Sequence, residues 1–325
     1  MHQKLWSNLI ATVLLLLLPG CFEEKPCEMY DSVQEDHFEP AVVKLSFQLK
    51  KCNGEPIPNR QISDFVLSED GTLIDDFESK PELLNKKRSY EMATVLLLDM
   101  SGSIVESGSV DNLQSAAKSF AHTLVSEREV AVYAFDGQRE LHILVDFTSD
   151  NDAISKAIDG LSSFVSEDNS TNLNGAVIQG LTLLEEKKKQ TTDKIFAGSL
   201  AIFTDGTDKA NHYTDQDAQM AVAKANTVSV FTIGLGTTVD EAHLKALGKD
   251  GYRWAENSSE LELAFGDIAQ SIQDEANSFY SIAYCTPSRN GNHLFEVSLR
   301  GTVDSLTYQF TADGFSGGCK PEDFL

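Results

Sequence analysis

Apolar and polar positions divide the chain into three textures. Residues 95–98 form a short continuous apolar run, the pattern of a strand buried on both faces of a sheet, and the run stops at Asp99. Leu113, Ala116, Ala117, Phe120, Ala121 and Leu124 then fall on one helical face. Residues 130–135 and 141–147 predict two strands joined by a turn at Asp136 and Gly137, the one antiparallel pair of this region. Helical spacing returns at Ile154, Ala157, Ile158 and Leu161 and again at Ala176, Val177, Gly180, Leu181 and Leu184. A strand at 200–203, a helix through 220–225, a strand at 228–233, a short helix at 244–247 and a long one over 260–277 complete the alternation. Strands alternating with helices over such a length predict an α/β fold, a doubly wound and mostly parallel Rossmann-like sheet covered on both faces.

The two flanks read differently. Residues 42–49, VVKLSFQL, alternate as a half-buried strand does, and Asn53, Gly54, Pro56 and Pro58 end the run. Residues 65–67 and 72–74 predict a hairpin about Asp70 and Gly71. Beyond Asn277, alternation at 279–284, 293–299 and 305–311 predicts three more strands. Either flank alone is small for a core, so the N- and C-terminal segments are expected to pair into one small β-sandwich beside the inserted α/β domain. The expected organisation is a signal peptide over 1–20, an acidic tether over 21–40, β-rich segments over 41–90 and 278–325, and the α/β domain over 91–277.

Composition changes this picture at the ends and on the surface. With 41% hydrophobic residues in 325, the chain can bury a sizeable core. Its 50 acidic against 26 basic residues, a net charge of -24, argue against nucleic acid as a partner and favour cations. Lys4, an apolar stretch over 9–18 too short to span a bilayer, and Leu18, Pro19, Gly20 and Cys21 form an export address. The small residues ahead of Cys21 resemble a bacterial lipobox, which implies cleavage before Cys21 and its lipidation. Several acyl chains would then anchor the protein to a membrane of the cell envelope. Phe22, Glu23 and Glu24 place no aspartate after Cys21, which by the same resemblance implies the outer membrane. The other cysteines, Cys27, Cys52, Cys285 and Cys319, are even in number and predict two disulfides in an exported protein. Sequence proximity suggests Cys27 with Cys52 and Cys285 with Cys319; pairs joining the two chain ends are equally physical.

The chemistry concentrates where apolar runs end. Residues 95–98 run into Asp99, Ser101 and Ser103, and residues 200–203 into Thr204, Asp205 and Gly206. A parallel sheet brings the carboxyl ends of its strands to one edge, so these acids and hydroxyls converge there and suit a hard, oxygen-seeking cation. The DxSxS at Asp99, Ser101 and Ser103, the Thr171 of STNLNGA and the Asp205 of FTDG resemble the metal-ion-dependent adhesion site of von Willebrand factor type A domains. The resemblance implies Mg²⁺ or Mn²⁺ held by Asp99, Ser101, Ser103, Thr171 and Asp205, with an Asp or Glu of a protein partner completing the coordination. The flanks look similar to the β-rich extensions of bacterial lipoproteins that carry such domains, on the strength of Phe65 with its Asp-Gly turn and of Tyr284, Cys285 and Cys319. Two alternatives stand beside this expectation of a binding module without enzymatic activity. One is a magnesium-dependent aspartyl phosphotransferase with Asp99 as nucleophile, although such enzymes resemble DxDxT, with a second acid where Ser101 stands. The other is a structural lipoprotein with a vestigial site.

Overall fold

In the computed structural model, which describes residues 28–324, the chain starts as an antiparallel pair, β1 (Glu28–Phe38) and β2 (Val42–Lys51). It continues through the hairpin β3 (Phe65–Glu69) and β4 (Thr72–Leu73), the short strand β5 (Glu82–Leu83) and the one-turn helix α1 (Lys86–Ser89). The central layer follows: β6 (Tyr90–Asp99), α2 (Gly102–Ser107), α3 (Val110–Leu124), β7 (Glu129–Phe135), β8 (His142–Thr148), α4 (Asn151–Asp159), α5 (Leu173–Gln190) and β9 (Ile195–Thr204). It closes with α6 (Asp215–Lys224), β10 (Val228–Leu235), α7 (Glu241–Leu247), β11 (Gly251–Ala255) and α8 (Leu261–Ala276). The chain then returns to the flank as β12 (Phe279–Cys285), β13 (Asn292–Leu299) and β14 (Ser305–Thr311).

The six-stranded central sheet has the order β11-β10-β9-β6-β7-β8, and only β8 runs antiparallel to its neighbour. Because alternate residues of a strand face opposite sides, the unbroken apolar run of β6 feeds two cores. Leu96 and Leu98 pack with Phe120 of α3 and Phe265 and Ile268 of α8, whereas Val95 and Leu97 pack with Val177 and Leu184 of α5 and Leu247 of α7. This is the expected α/β architecture.

The flanks form two four-stranded sheets, β1-β2-β12-β5 and β14-β13-β3-β4, each drawing strands from both ends of the chain. They share one core: Phe47 meets Phe65 edge-on at 6.0 Å, and Tyr284 lies 4.6 Å from Phe295. The hairpin between β3 and β4 turns on Asp70 and Gly71 at φ 52° and 76°, the positive values that a two-residue turn matched to strand twist requires. Cys285 and Cys319 form a disulfide that ties the end of β12 to the C-terminal segment. Cys52 is also disulfide-bonded. Its sequence-suggested partner Cys27, the lipidation candidate Cys21 and the signal peptide lie outside the described residues. Among the described residues no helix is long and apolar enough to cross a membrane.

Two expectations need correction. Residues 28–38, read as part of an acidic tether, form β1, which pairs along β2 and sets Tyr30 edge-on against Phe47 at 5.3 Å. It is an edge strand whose outer side chains keep water, so its acids cost little and its pattern lacks an apolar period. The strand β11, absent from the sequence reading, adds the sixth member of the central sheet: Arg253 and Trp254 are exposed on this edge and conceal the strand signal.

Candidate metal centre

The strand β6 lies between β7 and β9, which the chain enters on opposite sides, so its carboxyl end is the crevice of the sheet. Asp99 is the last residue of β6, and Asp205 follows the last residue of β9. Ser101 and Ser103 lie at the start of α2, and Thr171 stands two residues ahead of α5. All five sequence-predicted residues are thereby brought to one edge. The Ser103 hydroxyl donates to Asp205 Oδ1 at 2.8 Å and lies 3.3 Å from Ser101 Oγ. A Cβ placed on Gly206 would come within 3.5 Å of Thr171 Oγ1, so this hydroxyl borders the same crevice.

The hydroxyls could have been helix caps, and they are not. Ser101 is the N-cap residue of α2 by backbone position, yet its side chain makes no capping hydrogen bond. The cap of α5 is Asn172, whose side chain accepts from Gly175 N, which relieves Thr171 of that duty.

The carboxylates are held in an unfavourable state for charge. Asp99 is fully buried, Ser101 N donates to its Oδ1 at 2.9 Å, and Thr204 Oγ1 donates to its Oδ2 at 2.6 Å. Burial pushes its carboxyl up to about 6; the Thr204 and Ser101 donors offset part of this and the neighbouring Asp205 adds to it. Burial also raises Asp205, against the Ser103 hydroxyl and the charge of Lys209. Two desolvated carboxylates among neutral hydroxyls gain from a cation between them, and the donor set, all oxygen, fits Mg²⁺ or Mn²⁺.

One organising residue carries only a turn signal in the sequence. Asp136, directly after β7, is fully buried: its Oδ1 accepts from Gln138 N at 2.9 Å, and its Oδ2 accepts from Glu167 N at 2.9 Å and from Ser166 Oγ at 3.3 Å. Its own carbonyl accepts from Asn172 N. Burial works to raise its carboxyl, but the backbone donors of Gln138 and Glu167, with His142, outweigh that and hold it below the usual range. Asp136 thus pins the loop that carries Thr171. The opposite side of that loop is fastened by Lys209 N and Ala210 N, which both donate to the Thr171 carbonyl, and by Asn174 N, which donates to Asp208 Oδ2. The signal available in the sequence was an acid at the end of a third buried strand, masked by the Gly137 that follows it.

The family model of the von Willebrand factor type A domain matches residues 94–207. No curated protein matches the chain. Among solved structures the chain is similar to "von Willebrand factor type A from Catenulispora acidiphila", at 10% identity and a TM-score of 0.49, covering 89% of this chain and 73% of that one. It is similar to the manganese-loaded TRAP protein of Plasmodium vivax, at 11% identity and a TM-score of 0.48, covering 72% of this chain and 98% of that one. A third similarity is to proximal thread matrix protein 1 from the mussel byssus with a zinc-occupied MIDAS motif, at 14% identity and a TM-score of 0.44. That match covers 64% of this chain and 49% of the mussel protein, so the chain spans about half its length.

Proposed function

On the premise that residues 94–207 belong to a von Willebrand factor type A domain, we propose that the protein is a cation-dependent binding module that captures an acidic residue of a protein partner. Asp99, Ser101, Ser103, Thr171 and Asp205 would hold a divalent cation, Mg²⁺ or Mn²⁺. Bound there, the ion supplies an electrophilic corner for a carboxylate oxygen. The residues of the chain do the rest. Ser101, Ser103 and Thr171 would contribute neutral oxygens, which leave the ion more of its charge for an incoming carboxylate than an all-acid site would, and Asp136 keeps the Thr171 loop in register. Lipidation of Cys21 would hold the module at a bacterial envelope membrane, presenting the crevice to partners there.

The observation that carries this reading is the release of the Ser101 and Thr171 hydroxyls from capping at the sheet edge that holds the buried Asp99 and the half-buried Asp205. An aspartyl enzyme fits less well, because a nucleophilic Asp99 would need to reach a substrate and its carboxylate is fully buried under Thr204 and Ser101. Calorimetric titration of the full-length protein with Mg²⁺ and Mn²⁺, together with capture of partners from envelope extracts with and without EDTA, tests the proposal. Asp99→Ala is expected to abolish ion uptake and capture alike. Partners retained in EDTA and by the variant would refute the metal bridge. Membrane fractionation of Cys21→Ala checks the anchor, and a variant that stays with the membrane would refute it.

A further inference from the structure

A second cluster of ligating side chains lies in the flanking sandwich, far from the crevice in topology. Glu69 ends β3, Asp70 occupies the turn to β4, and His293 is the second residue of β13, which pairs with β3. Their ligand atoms lie within 4.8 Å of one another. His293 Nε2 is 2.9 Å from the carbonyl oxygen of Asn290; a carbonyl only accepts, so this nitrogen carries the proton. The other ring nitrogen, Nδ1, then faces two carboxylates, with Asp70 Oδ2 at 2.7 Å and Glu69 Oε1 at 3.8 Å. A bare lone pair aimed at two carboxylates is unfavourable, and a metal ion between them relieves it, as a shared proton does.

The carboxylate oxygens are already oriented. Tyr284 OH donates to Glu69 Oε2 at 2.7 Å, Thr286 Oγ1 and Ser288 Oγ donate to Oε1 at 2.9 and 2.6 Å, and Leu294 N donates to Asp70 Oδ1 at 2.9 Å. Such outer hydrogen bonds, including a backbone carbonyl on the far imidazole nitrogen, are what orients the ligands of a metal site. Ser288 Oγ, 3.3 Å from Nδ1, adds a neutral oxygen. The arrangement is not a proton relay, because Ser288 and Asp70 both address Nδ1 while Nε2 is taken by Asn290.

We propose that Glu69, Asp70 and His293 form a second divalent metal site, of the imidazole and carboxylate kind that selects Zn²⁺ over Mg²⁺. Glu69 is nearly buried and Asp70 largely exposed, which leaves one side open for entry. The ion would cross-brace the β3–β4 turn to β13, joining the two ends of the chain. Protons compete with the ion for Nδ1, so binding is to be read at pH 8.

The test is titration of the full-length protein with Zn²⁺ alone, in an Asp205→Ala background that disables the crevice and so separates the two proposals. One ion is expected to bind, and His293→Gln should weaken it about tenfold or more. In protein without that substitution, the ¹⁵N shift of His293 Nδ1 should move from that of a protonated ring to that of a metal-bound nitrogen on addition of Zn²⁺. This readout does not depend on the folding of a variant. Absence of uptake at pH 8, uptake indifferent to His293→Gln, or an Nδ1 shift that stays protonated in Zn²⁺ would overturn the proposal.

Discussion

Gly102 N donates to the carbonyl of Asn169 at 3.2 Å, and a Cβ on Gly102 would fall 2.9 Å from both Cβ and Cγ of Asn169. Two loops of the crevice, one carrying Ser101 and Ser103 and the other Thr171, therefore touch at a point where only a hydrogen fits. Gly102→Ala should push the Thr171 loop outward at a cost of about 1–3 kcal/mol, the usual range for overpacking. Ion affinity should fall further than stability does. Thermal unfolding beside Mn²⁺ titration measures both; unchanged affinity would show that Thr171 is not held by this contact.

Asp136 makes a sharper case, since it touches no predicted ligand. Asp136→Ala leaves the amides of Gln138 and Glu167 without their acceptor, and hydrogen bonds to a charged group are worth about 1.5–3 kcal/mol. Destabilisation of about 3 kcal/mol, with weaker ion binding, is expected from denaturant unfolding and calorimetry. Asp136→Asn retains an acceptor oxygen and should lose less. Equal losses in the two variants would contradict the role given to its acceptor oxygens, and an Asp136→Asn protein as stable as the wild type would contradict the role given to its charge.

The legible parts of the molecule are those whose sequence pattern and burial coincide. The run before Asp99 is buried on both faces, and so is the run before Asp205, which is why both strands and both acids were visible. The Asp70-Gly71 turn was visible because few residues other than glycine and asparagine-like ones accept positive φ. The edges were hidden: β1 and β11 are stabilised by backbone pairing more than by an apolar face, and pairing leaves no periodic mark. Asp136 was hidden by looking like a turn residue. His293 and Glu69 meet only because the two chain ends pair, across a separation that no local pattern encodes.

The disulfide between Cys285 and Cys319 closes a segment of 34 residues, for which loop-closure entropy gives about 3–4 kcal/mol. Cys285→Ala with Cys319→Ala should lower stability by about that amount and loosen the C-terminal segment. Proteolysis near residue 319 and denaturant unfolding report the two effects. A loss well under about 1 kcal/mol would mean that the core around Phe315 and Phe324 holds this segment without the bridge.

The base of the central sheet should give the protein a pH dependence independent of any metal. Glu275 sits in the last turn of α8, where the helix dipole disfavours a carboxylate, and accepts from the Ser229 hydroxyl at the start of β10. Burial raises its carboxyl, Ser229 lowers it and Asp250 raises it again; Lys50 and Arg128 offset only part, so the net direction is upward. Asp250 is raised by burial as well, against the Val230 amide. A raised acid binds its proton more tightly in the folded than in the unfolded chain, so unfolding releases protons between the ordinary carboxylate value and the raised one. The stability it contributes is full below the ordinary value and is lost as pH rises through the raised value. Gln at 275 mimics the protonated acid and can still accept from Ser229. Glu275→Gln should therefore match the wild type near pH 4 and exceed it at pH 8, flattening the profile. Thermal unfolding of both proteins in EDTA at the two pH values decides: a variant less stable than the wild type at pH 8 would mean that the attraction of Arg128 and Lys50 for the Glu275 charge outweighs its burial.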